Sequence, residues 1–502
     1  MGRPASGHRA EPGRRGVQRL PAPPGLSGGR ADHRPAARAA VVPGRGGGAL
    51  MLADALRGLP DGFAGTLALV DGVDDTLTQG LARADPAALE ALVPAFAGSP
   101  LAERVTEAIG KIVAGTVTDE HLLTLAGART ALLGAAHDAL RDSLDTALGR
   151  ARAPWSATPA ATDSGQVLAG ARSWLRELAI AGWRGVDHEL AGGAGPAVQT
   201  LLADPGARRL AVLLDGLAAE LRTAAPVATL PRIPVRRWAD LWTRALLLAQ
   251  PGRPAFAATP VDGRLLLLGV DLHEHPTVFQ AQAHALLETA DGAVRLVRTS
   301  VAAAKVDTIS GPAAWRMLTA FPTLRRALAE HRVVEVAGMA LTPGGDLIWD
   351  EARATAGAPA DPFAAARVRL GTAAALPVTP LDRHPAALAE PVLLEGYGHT
   401  DRAFDLGGGV TLAVDLDRLP AAGPLTPELV AASTACLGLL RWDGRWLLQP
   451  LAVQTLVKKK PVAVHGGDWA LGPTEAKAAK AEAAAGTAVD VLRERAGRLL
   501  RK

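Results

Sequence analysis

The chain has 502 residues, 48% hydrophobic and 21% charged, which is material for two to four domains at roughly 100–200 residues each. One cysteine, Cys436, excludes an internal disulfide and any zinc site built on two or more thiolates, and no run of about 18 uncharged apolar residues is present to span a membrane. The net charge of +4 is uneven: residues 1–50 hold nine Arg against one Glu and one Asp, a net +7, and the rest holds 45 basic and 48 acidic residues, a net −3.

Residues 1–50 are rich in Gly, Pro and Arg and lack apolar periodicity, so they read as a leader that cannot bury enough surface to offset its ordering entropy. Met51 opens the first amphipathic segment and is the expected true start, with residues 1–50 as translated upstream sequence; the rival reading is a basic arm that binds nucleic acid. The leader lacks the apolar core of a signal peptide, and with one cysteine the expected location is cytoplasmic. The whole chain has no Asn, six Ile, one Tyr (Tyr397), and eight Lys against 46 Arg. A GC-rich coding bias accounts for that skew, so abundant Arg or Ala carries no functional argument by itself.

Residues 51–225 read as a helical bundle or array. Asp85-Pro86 is a cap followed by proline at the first helical position, opening a helix over 87–96. Thr118 caps a long helix to Leu148, whose Leu122, Leu125, Arg129, Leu132, Leu133, Ala136, Leu140 and Leu144 share one face. Further helices are expected from Ser164 and from Asp204-Pro205. Asp71, Asp74 and Asp75 read as a solvated acidic loop. Residues 226–260 combine a Pro-rich linker with a helix whose Trp238 and Trp242 lie on one apolar stripe; that helix is expected to clamp the helical half onto the β half. Its tryptophans are read as core, with a Trp-faced partner site as the alternative.

Residues 261–353 read strand, strand, strand, helix, strand, strand, the element order of an OB-like small β-barrel. In the second of these strands Phe279, Ala281, Ala283 and Ala285 alternate with Gln280, Gln282 and His284, which defines a polar outer face and makes these three polar residues interaction candidates. Residues 354–390 are Ala/Pro-rich and read as a linker. Residues 391–470 read as a second β-rich domain, with a hairpin at Asp443-Gly444. A two-residue loop there would set Trp442 against Arg445 and Arg441 against Trp446, each pair able to stack cation on ring for about 0.5–1 kcal/mol. Residues 471–502 read as a charged terminal helix. The fold class expected is thus multidomain α+β.

Catalytic signatures are missing. No phosphate-binding glycine loop, dinucleotide fingerprint or nucleophile elbow occurs, and no cofactor is implied. His273 and His275 are the metal candidates, because residues two apart share a strand face; Pro276 follows at once and no third ligand is identifiable, so a polar turn is the preferred reading. Asp415 and Asp417 have the spacing of a metal-binding carboxylate pair, which two acids often show by chance. The 261–353 block is near −2, which argues against strong nonspecific nucleic-acid binding, and Lys458-Lys459-Lys460 reads as a blunted strand edge.

The helix RRWADLWTRALLLA (236–249) and the hairpin LLRWDGRWLLQPL (439–451) resemble an uncharacterised bacterial family associated with SWIM zinc-finger proteins, MoxR-type AAA ATPases and von Willebrand A-domain proteins. The resemblance implies a non-catalytic accessory to a larger assembly and brings no site residues. The expected function is therefore an adaptor or scaffold that binds other proteins, with no membrane partner. The alternatives are an OB-type nucleic-acid-associated protein and, third, an enzyme whose residues are dispersed around His284.

Overall fold

The computed structural model describes residues 47–155, 160–162, 168–204, 206–250, 253–255 and 257–476, then scattered positions up to 498. Helices fill the first half of this span and two sheets dominate the second, an α+β arrangement. The expected leader lies outside the described residues except at 47–50, which open α1 (Gly47–Arg57). The expected helix start at Ser164 and much of the terminal helix lie outside them as well.

The helical half is built on α2 (Phe63–Gln79), α3 (Ala102–Val113), α4 (Asp119–Leu148), α5 (Ala169–Ala181), α6 (Arg208–Ala224) and α7 (Val235–Leu248). Thr118 is extended and its side chain accepts from His121 N, satisfying one of the free N–H groups at the start of α4. Earlier in the chain Asp85 caps a helix in the same way, but the expected 87–96 helix is two short pieces, Pro86–Glu90 and Leu92–Ala95. Pro94 lies four residues beyond Glu90, where its ring would clash with the Glu90 carbonyl of a continuous helix.

The α7 tryptophans are core. Trp238 and Trp242 are 1% and 0% exposed, and Trp242 Nε1 donates to Leu175 O at 2.8 Å. The helix packs on α2, α4, α5 and α6, and it also reaches the 380–384 segment, where Asp240 meets His384 and Arg244 meets Asp382, each at 3.2 Å. The apolar core shared by the two halves is built by α1, the start of α2 and the C-terminal half of α4. Leu52, Phe63, Leu140 and Leu144 share a core with Val392, Leu412, Leu440 and Leu448 of the second sheet.

Asp74 is not in a solvated loop. It is buried on α2, where Arg129 of α4 reaches it through Nε at 2.6 Å and Arg236 at 2.8 Å. Arg129 also meets Asp240 at 2.7 Å. An arginine on an apolar stripe thus had a buried acid waiting for it. Of the neighbouring acids, Asp75 is exposed and Asp71 pairs with Arg236.

The first sheet contains β1 (Thr259–Glu274), β2 (Val278–Glu288), β3 (Val294–Ala304), β4 (Arg332–Leu341), β5 (Asp346–Ile348) and β6 (Ala354–Pro359). Its order is β1-β2-β3-β5-β4-β6, with β1 also paired to β4, so the first five strands close a ring. β3 and β5 run parallel and the other pairs are antiparallel. Between β3 and β4 lie a 3₁₀ segment (Gly311–Leu318) and α8 (Pro322–Ala329). Phe279, Ala281, Ala283 and Ala285 fill the ring interior, as the alternation predicts, and Phe279 meets Trp315 edge-on at 5.4 Å.

Residues 354–390 are not a linker. They supply β6 and then α9 (Pro362–Arg369), which is capped by Asp361 and buries Phe363 against the first sheet.

The second sheet contains β7 (Glu390–Glu395), β8 (Gly398–Thr400), β9 (Ala403–Asp405), β10 (Thr411–Val414), β11 (Ala435–Trp442), β12 (Trp446–Val457) and β13 (Lys460–His465). The order is β8-β9-β10-β12-β11-β7, with β13 on β12. β12 also passes against β1. A Cβ on Gly269 would sit 2.8 Å from Leu451 Cβ, so glycine is what lets the two sheets approach.

Candidate functional site

The hairpin at Asp443-Gly444 is one residue longer than the sequence suggests. Trp442 pairs with Trp446, which leaves Asp443, Gly444 and Arg445 in the loop, with Gly444 at φ 67. The expected Trp442–Arg445 and Arg441–Trp446 stacks do not form. Trp442 and Trp446 instead meet edge-on at 5.2 Å, and Phe63 packs edge-on to Trp442 at 5.4 Å. Burying two indoles on one face outweighs two exposed cation–ring contacts.

Arg441 lies on the opposite face from Trp442, between the sheets, and the extra loop residue takes Trp446 away from it. Its Nη2 lies 2.8 Å from Asp271 Oδ2, and its Nε donates to Gln449 Oε1 at 2.5 Å. Gln449 Nε2 donates to Asp271 Oδ1 at 2.7 Å, and His273 Nε2 lies 3.2 Å from Asp271 Oδ2. Burial opposes the charge on Asp271, yet His273, Arg441 and Gln449 hold its carboxyl down at about 2.

Two clefts flank the Asp415–Arg418 segment, and Asp417 lines both. The larger, about 980 Å³, runs between the end of α1, β10 and the hairpin. Trp442, Arg445 and Trp446 line it, with Asp401, Arg402 and Asp443 along its walls. Trp446 is 8% exposed, and its buried Nε1 has no acceptor. Arg402 is tied to Asp417 and Arg418 to Asp415, so those acids serve as ion-pair partners.

The smaller cleft, about 500 Å³, lies between the end of β1 and the 417–421 segment. His273 is the last residue but one of β1, His275 follows the strand, and both line this cleft. They do not converge on an ion: among the described residues, the only histidine–acid group compact enough for a metal is His331, His465 and Asp468. That trio is internally satisfied. His331 Nε2 meets Asp468 Oδ1 at 2.8 Å, and His465 Nδ1 accepts from Gly467 N at 2.9 Å. Its rings stack at 4.4 Å, and the lone pair a metal would need on His465 Nδ1 is already engaged.

His284 departs from its expected place. It points away from the ring interior with Gln280 and Gln282, but the rest of the molecule covers that face, leaving the two glutamines half-buried and His284 4% exposed. Its buried Nε2 has no partner, beside a void of about 70 Å³ shared with Arg152, Arg298 and Glu390. Burial, with Arg298 and Arg441 nearby, lowers its pKa to about 4 against the pull of Asp271. An acid–base catalyst works best with a pKa near the operating pH. Asp271 and His284 are both displaced away from neutrality.

Sequence reasoning missed one site altogether. Glu390 at the start of β7 accepts from Arg150 Nη1 at 2.9 Å and Arg152 Nη2 at 2.8 Å. Arg152 also pairs with Asp145 at 2.6 Å. Burial opposes the charge on Glu390, and the two guanidiniums keep its carboxyl below the ordinary glutamate value. No local pattern marks partners 240 positions apart.

Cys436 is fully buried, and burial pushes its thiol up. A thiolate-selective reagent is expected to leave it unmodified in the native chain and to label it only as denaturant opens the second sheet. Rapid native labelling would show the thiol to be accessible. No protein-family model matches the chain, and no curated protein matches it.

Proposed function

We propose that this chain is a non-catalytic adaptor, and that the cleft floored by Trp442 and Trp446 takes an extended segment of a partner protein. The observation that carries this is the 980 Å³ cleft, which joins two indoles, a buried indole N–H with no acceptor, and walls bearing both signs of charge. Tryptophan and arginine are the residue types that most often dominate binding energy at protein interfaces. A backbone carbonyl of the incoming segment would satisfy Trp446 Nε1 if the indole turned modestly. The resemblance of 236–249 and 439–451 to the AAA-associated family supports an assembly as the setting, in the cytoplasm.

The ring β1-β2-β3-β5-β4, with its helical insertion between β3 and β4, supports reading residues 261–353 as an OB-like barrel. Such barrels commonly receive nucleic acid on the face of the second and third strands. Here His284 on that face is buried and Arg298 is held by Asp346, which favours a structural use of the barrel. The nucleic-acid reading is therefore the weaker one.

The test is recovery of partners from nuclease-treated lysate by the full chain and by Arg445→Glu combined with Arg402→Glu. The charge reversals should lower partner recovery about tenfold or more, in line with the loss of interfacial charge pairs, while thermal stability stays close to that of the parent. Undiminished recovery would remove the cleft from the binding site. Recovery of nucleic acid alone would overturn the adaptor assignment.

A further inference from the structure

Residues 456–462 form the tip of the β12–β13 hairpin, and every one of them is exposed. Leu456 is 60%, Val457 52% and Val462 40% exposed. Between them stand Lys458, Lys459 and Lys460. Val457 pairs with Lys460, so Lys458 and Lys459 make a two-residue turn at φ 49 and 66. Both φ values are left-handed, and turns of this kind ordinarily use Asn or Gly because a Cβ is strained there. None of the three lysines forms an ion pair among the described residues. Three of the eight lysines stand together here, in a chain with 46 arginines.

A blunted edge explains part of this. β13 pairs only with β12 among the described strands, and Lys460 and Pro461 discourage another strand from adding to it. Edge protection does not explain why three aliphatic side chains remain in water around the lysines.

We propose that the hairpin tip is a peripheral contact for an anionic phospholipid surface. The lysines at the turn would meet the headgroups, with Val457 and Val462, which share one face of the ribbon with Lys460, laid against the interface. No helix among the described residues is long and apolar enough to cross a membrane, so the contact is made from outside the bilayer. Other anionic partners fit less well. Nucleic-acid sites favour arginine forks and stacking aromatics, and the tip has neither. Protein interfaces are depleted in lysine. Lysine's compact charge on a long apolar stem suits the bilayer interface. This inference stands apart from the adaptor cleft.

The test is sedimentation of the full chain with phosphatidylcholine vesicles, with and without phosphatidylserine. The chain should sediment only with the anionic vesicles. Replacing Lys458, Lys459 and Lys460 together by Gln should lower partitioning on the order of 100-fold, at about fivefold per lysine. The triple change to Arg should retain the binding, and Val457→Ser with Val462→Ser should weaken it even at raised salt. Residues 1–50 remain in every variant, so equal binding by the Gln triple variant would assign the attraction to that arginine-rich stretch and overturn the proposal. No sedimentation with anionic vesicles would overturn it as well. Retention on duplex DNA without vesicle binding, lost in the Gln variant, would overturn it in favour of a nucleic-acid contact.

Discussion

Glu390→Ala is expected to destabilise the folded chain by about 3–5 kcal/mol, the usual cost of removing one partner from a buried ion pair. The side chains of Arg150 and Arg152 are 3% and 11% exposed. Arg152 would keep its ion pair with Asp145, whereas Arg150 would keep the Pro391 carbonyl and the unpaired, more distant attraction of Asp145. Most of the loss therefore comes from desolvated charge left without its counterion. Glu390→Gln should cost less, since the amide oxygen can still accept from one guanidinium. Asp54→Ala removes an exposed pair with Arg57 and should shift stability by less than about 1 kcal/mol. Urea midpoints of the three variants measure the ranking. Equal midpoints for Glu390→Ala and Asp54→Ala would mean that the junction is hydrated and contributes little.

Acidification from pH 7 to 4.5 should cost about 5 kcal/mol through His284 and His465 together, at about 2.5 kcal/mol each. Both are buried, and burial lowers both to about 4, against about 6.5 in an unfolded chain. Below pH 6.5 the unfolded imidazoles bind protons that the native ones refuse, so stability falls as pH falls, until the native groups titrate near 4. The depressed carboxyls act at lower pH. Asp271, held at about 2, contributes stability that is lost only on going below about pH 4 towards 2. The decline between pH 6.5 and about 5 therefore belongs to the histidines, and below that depressed glutamates such as Glu390 add to it. His284→Gln should remove about half of it, measured as the change in urea midpoint with pH. An unaltered slope in that variant would show that His284 is not held neutral by its surroundings.

Much of the architecture could be read from local pattern. Thr118 marks the start of α4, the 279–285 alternation gives the ring interior, and Asp443-Gly444 marks a hairpin. Each of these signals is written within a few residues. The errors arose where distant packing decides. The loop at 443–445 gained a residue because Phe63, from the helical half, completes a pocket for both indoles. His284 looked solvent-facing because alternation distinguishes two faces of a strand but not whether a second layer covers the outer one. Arg129 was placed on the apolar stripe of α4, but its partner Asp74 was not legible, since 55 positions separate them. In the candidate site, Trp442, Arg445 and Trp446 were identifiable from the hairpin, whereas the wall contributed by α1 was not.

The arginines at 150 and 152 leave the ribosome long before the glutamate that neutralises them, 240 and 238 positions later. At about 5–20 residues per second, that interval is on the order of 10–50 s. During it the nascent helical segment carries two cations destined for burial with one counter-charge, Asp145, between them. Completion of that segment must therefore wait for a late-synthesised strand, and translation order and assembly order differ in this protein.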